Sequence, residues 1–376
     1  MTYRQLWITV TFSLTVLVSA FLLFVVQPMV GAMVLPLLGG SSTVWTTCML
    51  FFQVMLLAGY VYAHGIAQNL TFRRQVILHA SLILVALLFL PLSVPESLLR
   101  TDTAPALHLL LALFFGIGLP MFVVSSSAPL FQHWFGALDH PDAEDPYYLY
   151  AASNAGRMLA LLSYPFLIDR FTDLGTQRLG WTGLFLGLAV LVSICGFIVF
   201  RDDGSLKPGR DQPVNSSLSW SRKGWWVLIT FLPSSLMRGL THYMTADLAS
   251  VPLLWVLPLA AYLLSFILVF ARLEHPLWLY RIVLPPALYI VFALTYNALL
   301  SHVRLIGLHM VCFFLIAMYF HGELAEDRPE TEHLTTFFIF VALGGSLGGL
   351  FNSLLAPLLF DTILEYYLVI ALGIAL

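Results

Sequence analysis

Lysine is nearly missing from this chain: Lys207 and Lys223 are the only two in 376 residues, and charged residues of all kinds reach only 10%. So little charge excludes a nucleic-acid partner, because no basic tract is long enough to follow a phosphate backbone. The formal net charge of −3 argues for no charged partner either. Cysteine is also scarce. Cys48, Cys195 and Cys312 each fall inside an apolar run, and no pair has the spacing of a metal or redox site, so buried free thiols are expected. No phosphate-binding loop, zinc-spaced histidine pair or nucleophile beside a base is present. Neither a cofactor nor catalysis by this chain alone is supported.

Apolar sequence is what the chain does have. It is 60% hydrophobic with a mean hydropathy of +0.89, too little polar surface for a water-soluble globule. A hydrocarbon core about 30 Å thick takes roughly 20 apolar residues per helix, and a helix satisfies its own backbone there. Runs of that length are expected near 6–36, 43–64, 75–95, 105–128, 147–168, 180–200, 224–246, 251–271, 278–300, 303–320, 334–358 and from 363 to the end. The expected fold is an all-α polytopic membrane protein of about 12 spans, its partner the lipid bilayer. The run from Leu6 to Val26 is too long for a signal peptide and reads as a retained first helix.

The polar stretch Arg201 to Lys223 divides six spans from six and reads as a flexible tether. The expected organisation is an N-terminal half (1–200), a cytoplasmic linker (201–223) and a C-terminal half (224–376). Gly156, Pro165 and Asp169 recur as Gly348, Pro357 and Asp361 at one offset (348 − 156 = 192), and an acidic loop precedes each set. An even number of spans per half makes this a parallel repeat. With the N-terminus cytoplasmic, eleven Lys and Arg fall inside and four outside, which places both termini and the linker in the cytoplasm. The last run, Glu365 to Leu376, covers only about 18 Å of helix, so a longer native chain is expected.

Ionisable groups inside spans are costly and are usually kept for a reason. Arg157 follows Asn154 by three residues in the fifth span; Arg238 and His242 are one turn apart in the seventh, with Asp247 closing that segment. Gln27 and Gln53 add polar groups in the first two spans. These seven residues are the candidate solute-binding set, with the two arginines lining a shared central cavity. The plainer alternative is structural: an interhelical hydrogen bond for Gln or His, and pairing with Asp247 or a backbone carbonyl for Arg. His64, His133, His321 and Glu323 lie near span ends, and no metal site is expected from them. The run Leu343 to Gly349 holds two G-x-x-x-G registers and reads as close helix packing. Pro28, Gly31 and Pro36, and Gly116, Gly118 and Pro120, mark expected breaks or kinks.

Several segments carry a resemblance: Phe24 to Gly31 with Leu35 to Gly40 and Val44-Trp45, Leu56 to Tyr60 with Tyr62-Ala63-His64, Ser127 to Leu130, Pro146-Tyr147 with Ala152-Ser153-Asn154, Pro252 to Leu259, His321 to Leu324, and Gly348 to Asn352 with Ala356-Pro357. Together they resemble a bacterial family of major-facilitator-like membrane proteins fused to spermidine synthase. The resemblance implies a cytoplasmic aminopropyltransferase-like domain after the last span. This chain stops at Leu376, before any such domain, and no synthase residue can be carried over.

Three functions follow as expectations: a transporter-like domain moving or sensing a small polar solute, a non-transporting anchor or scaffold for an aminopropyltransferase-like enzyme, and a membrane-embedded enzyme. Trp45, Tyr60, Tyr62, Trp255 and Tyr262 offer aromatic faces to a polyamine. Two embedded arginines beside one embedded carboxylate suit an anionic or zwitterionic solute at least as well.

Overall fold

The computed structural model describes residues 2–38, 42–99, 105–202, 218–244, 254–271 and 302–359, with residues 285 and 369. Among these, every regular element is helical, and seven helices are long and apolar enough to cross a membrane. Apart from residues 285 and 369, the expected spans 278–300 and 363–376 lie outside the described residues, as do most of the linker and Asp247. The chain divides into two compact units. Unit 1 is Met1–Ser217 with Pro329–Ile339; unit 2 is Leu218–Arg328 with Phe340–Leu376.

Unit 1 holds α1 (Tyr3–Leu38), α2 (Ser42–Asn69), α3 (Phe72–Ala86), α4 (Pro105–Ala137), α5 (Tyr148–Ser163) and α6 (Leu174–Asp202). Its core is a continuous apolar cluster that includes Phe12, Val26, Met121, Phe131, Trp134 and Phe185. The expected breaks at Pro28, Pro36 and Pro120 do not end their helices: α1 and α4 run through them. Inside a bundle, neighbouring groups satisfy the backbone that proline frees. The third span ends earlier than its hydropathy suggests. Its last turn is Leu87–Phe89, because Leu90 precedes Pro91 and is forced to extended backbone.

Unit 2 holds α7 (Trp220–His242), α8 (Val256–Phe270), α9 (His302–Glu326) and most of α10 (Leu334–Leu350). The expected glycine packing is present. A Cβ on Gly344 would collide with Thr230 and the Val227 carbonyl, and one on Gly348 with the Phe231 carbonyl, so α10 lies directly on α7. In unit 1, a Cβ on Gly156 would collide with the Leu17 carbonyl, so α5 lies on α1 in the same way. Gly156 and Gly348 are the residues paired by the 192-residue offset.

Each of those helices continues into a wide π turn, Tyr164–Ile168 after α5 and Phe351–Leu355 after α10. Pro165 stands inside the first of these turns; a proline there removes an amide donor and crowds the carbonyl four residues back, and the helix relieves this by widening. Each unit also ties the loop after its fourth span to the first turns of its first helix. In unit 1 the buried His140 lies 3.1 Å from the Gln5 carbonyl through Nε2, and its Nδ1 accepts the Asp142 amide at 3.1 Å. In unit 2, Arg222 Nε donates to Asp327 at 2.9 Å and the buried Trp226 indole donates to the other carboxylate oxygen at 2.7 Å. Asp139 and Asp327, with Pro141 and Pro329, repeat at a second constant offset (327 − 139 = 188).

Candidate functional site

Along α5, Tyr150, Asn154 and Arg157 recur at i, i+4 and i+7, which puts them on one face. The fully buried Asn154 donates through Nδ2 to the Tyr150 carbonyl at 2.9 Å. Its Oδ1 is thereby oriented to accept from Arg157 Nη1 at 3.3 Å. The other terminal nitrogen of Arg157 reaches the Tyr60 hydroxyl of α2 at 3.4 Å, and Phe24 of α1 presents its ring face 5.7 Å from the guanidinium carbon. The buried Tyr150 stands two turns before Arg157 on this face. Three helices therefore converge on one half-buried guanidinium.

Glycine sets this geometry at two points. Gly59 precedes Tyr60, and its missing side chain lets α2 rest on Ser125 and Ser126 of α4 with only 2.8 Å to spare at the Cβ position. Gly156 precedes Arg157 and lets α5 rest on α1. Each polar side chain thus leaves its helix one residue after a fixed crossing. A guanidinium is a planar fork of donors, suited to a carboxylate or phosphate, while the phenols and the amide add neutral hydrogen-bonding groups around it.

The other expected residues are placed as follows. Gln27 lies on α1 one turn beyond Phe24 and donates to its own helix at the Leu23 carbonyl (3.3 Å). Gln53 lies on α2 two turns before Tyr60, and its buried Oε1 has no hydrogen-bond partner among the described residues. In unit 2, Arg238 is half-buried on α7 and His242 is exposed one turn later. Asp247 lies outside the described residues, so its pairing with Arg238 is not observed. Of the aromatic residues weighed for a polyamine, Tyr60 turns to Arg157, whereas Tyr62 stacks on His79 (6.1 Å between centroids).

Two groups were not anticipated as parts of polar clusters. Tyr150 was legible in principle, since its spacing from Asn154 and Arg157 is helical; Phe24 carried no polar signal. In unit 2, Ser265 donates to the Tyr262 carbonyl at 2.8 Å, so it accepts from Nδ1 of the fully buried His321, also at 2.8 Å. That tautomer leaves His321 Nε2 as a buried acceptor with no partner among the described residues, against the stacked Phe266 ring. No group of three His, Cys, Asp or Glu able to hold a metal occurs among the described residues.

No family model matches the sequence, and no curated protein matches it. Solved structures match over nearly the whole chain. A bacterial homologue of the iron transporter ferroportin, in an outward-facing state, is 14% identical with a TM-score of 0.62, over 98% of this chain and 96% of that one. The proton:xylose symporter XylE of E. coli, bound to 6-bromo-6-deoxy-D-glucose, is 12% identical with a TM-score of 0.60, over 100% and 95%. A POT family transporter in complex with 5-aminolevulinic acid is 14% identical with a TM-score of 0.55, over 97% and 94%. At such identities the likeness concerns architecture alone. The chain is a multi-pass, all-α membrane protein with the fold of the major facilitator superfamily.

Proposed function

We propose that this protein binds and moves a small polar solute bearing a carboxylate or phosphate, and that Arg157 is its principal anionic contact. The observation that carries this is the guanidinium gathered by α1, α2 and α5 and held among Asn154, Tyr60, Tyr150 and Phe24. A charge kept at such a depth is expensive, and a water-filled solute path is where membrane proteins keep one. Asn154, Gln27 and Gln53 orient the solute from the same unit, and Arg238, His242 and Asp247 are further candidate contacts from the seventh span. On the resemblance of the quoted segments, the chain is the membrane part of a spermidine-synthase-like fusion, with its N-terminus in the cytoplasm.

The test is a thermal-shift screen of carboxylates, phosphorylated solutes, amino acids, nucleosides and polyamines on residues 1–376, followed by uptake into proteoliposomes. A solute that stabilises the protein is expected to be taken up. Arg157→Gln should weaken its binding about tenfold or more while leaving the lipid-free melting temperature close to that of the parent. Unchanged binding in that variant would reject the solute role of Arg157, and stabilisation by polyamines alone would reject the anionic solute.

A further inference from the structure

A guanidinium only donates, so the Tyr60 hydroxyl that Arg157 reaches at 3.4 Å is the acceptor, and the hydrogen of that hydroxyl remains to be placed. Tyr60 is buried, and its hydrogen meets no acceptor among the described residues. Gln53 has the opposite need on the same helix. Its Oε1 is buried and has no donor among the described residues. Gln53 and Tyr60 are seven residues apart on α2. Both side chains therefore leave one face of the helix, about 10 Å apart along its axis.

Arg157 lies within that length of α2. Helices α1 and α2 are joined by three residues, and the Trp45 ring of α2 fills the place of the missing side chain of Gly31 on α1, so the two run antiparallel with those residues level. Seven residues back from Gly31 is Phe24, and seven on from Trp45 is Phe52, the neighbour of Gln53. Phe24 and Gln53 are therefore level. Phe24 is the α1 residue whose ring faces the Arg157 guanidinium, and Tyr60 is the α2 residue that hydrogen-bonds it. The guanidinium thus sits between the level of Tyr60 and the level of Gln53.

We propose that the solute lies along α2 between these two groups, its carboxylate or phosphate accepting from the Tyr60 hydroxyl beside Arg157 and a hydroxyl at its other end donating to Gln53 Oε1. The proposal rests on Arg157 as the anionic contact and adds the class of the solute: a hydroxylated acid whose two groups stand several bonds apart. Charge makes the donor a neutral one. One carboxylate balances one guanidinium, and an ammonium needs more acceptors than the single oxygen of Gln53, so an amine there would be buried with its charge unmet. An acid lacking the hydroxyl leaves Oε1 orphaned, and a hydroxyl next to the carboxylate falls short of it. A site built on a hydrogen bond rejects the analogue that lacks it more strongly than an apolar site rejects a change of size.

The measurement is the affinity of the full chain in detergent for acids built on one carbon skeleton: 6-hydroxyhexanoate, 2-hydroxyhexanoate, hexanoate and 6-aminohexanoate. The first should bind about tenfold or more tighter than each of the others, a ranking read on the parent protein and independent of how any variant folds. Gln53→Leu, or Gln53→Met if the leucine variant does not fold, should lower 6-hydroxyhexanoate to the affinity of hexanoate and leave hexanoate unchanged. Tyr60→Phe should weaken both by about fivefold, because they share the anionic end. Equal binding of 6-hydroxyhexanoate and hexanoate by the parent, tighter binding of 6-aminohexanoate or 2-hydroxyhexanoate, or binding of none of them would overturn the proposal. So would an equal loss of both acids in the Gln53 variant, or unchanged binding in Tyr60→Phe. Arg157→Gln separates this proposal from the reading beneath it. Loss of both acids in that variant, with no preference for the hydroxyl in the parent, rejects the hydroxylated acid alone, whereas unchanged binding in that variant rejects Arg157 as the contact.

Discussion

Asp327 shows how much one carboxylate can organise at the end of a span. One oxygen takes the Arg222 Nε at 2.9 Å and the other takes the indole of the fully buried Trp226 at 2.7 Å, while Arg222 also reaches the Asp327 carbonyl. The ion pair is about one-third exposed on both sides, so its charge attraction alone is worth well under 1 kcal/mol. The indole is different, since its donor is buried and would be orphaned. Asp327→Ala is expected to destabilise the protein by about 1 to 3 kcal/mol, and Arg222→Gln by much less, as measured by thermal unfolding in detergent. Equal effects of the two would mean that the ion pair, not the indole, carries the contact. The Arg157 cluster belongs to this scale as well, and it was half legible. Asn154 and Arg157 are visible as polar residues one turn apart in an apolar span. Tyr60 and Phe24 come from other helices, and sequence spacing says nothing of which helices converge.

Among the helices, glycine separates contact from lipid exposure. Gly156 and Gly348 have no room for a methyl group, whereas Gly183 and Gly187 on α6 would meet nothing within 4 Å. Gly156→Ala and Gly348→Ala should each cost on the order of 1 to 3 kcal/mol in thermal unfolding. Gly187→Ala should be neutral or slightly stabilising, because only helix propensity changes there. A large loss at Gly187 would refute this view of α6. The start of α6 has a cap that responds to pH. Asp173 Oδ1 accepts the Thr176 amide at 2.7 Å, and this bond, with the Thr176 hydroxyl, holds the exposed Asp173 carboxyl below the usual carboxylate range. A folded value below the unfolded one means that the cap stabilises the helix at pH above about 4 and fades as the pH falls through the folded value. Hydrogen exchange at Gln177 should therefore accelerate in acid relative to Asp173→Asn, which caps without titrating; a constant ratio across that range would exclude the carboxylate. Helix ends were the least legible feature of these elements. Hydropathy stops the fourth span near residue 128, yet α4 continues to Ala137 because Gln132 and His133 do not break a helix whose other residues remain apolar and packed.

At the scale of the molecule, composition alone was enough for a helical membrane protein, and one pair repeated at the offset of 192, Gly156 and Gly348, stands at a helix crossing in each unit, while the loops after the two fourth spans are tied to first helices through different residues, His140 in one and Asp327 in the other. Orientation rests on the Lys and Arg distribution and is open to direct measurement. Single cysteines at Asp139 and Thr176, both exposed, should be labelled from opposite sides of the membrane, Asp139 from the cytoplasm. Labelling of both from one side would overturn the topology. The π turns have a consequence for how these spans tolerate change in length. A π turn holds one more residue than the α turn it replaces, so each is an insertion already absorbed by the helix. Removing one residue within Tyr164–Ile168 or Phe351–Leu355 would convert the turn to ordinary α geometry and restore the facing of everything beyond it. The same deletion one or two turns earlier, around Gly156 or Gly348, would swing the downstream side chains by about 100° and unseat the crossing. Length variation among related chains, and tolerated deletions in a systematic scan, should therefore collect at these two wide turns and be absent from the helix just before them.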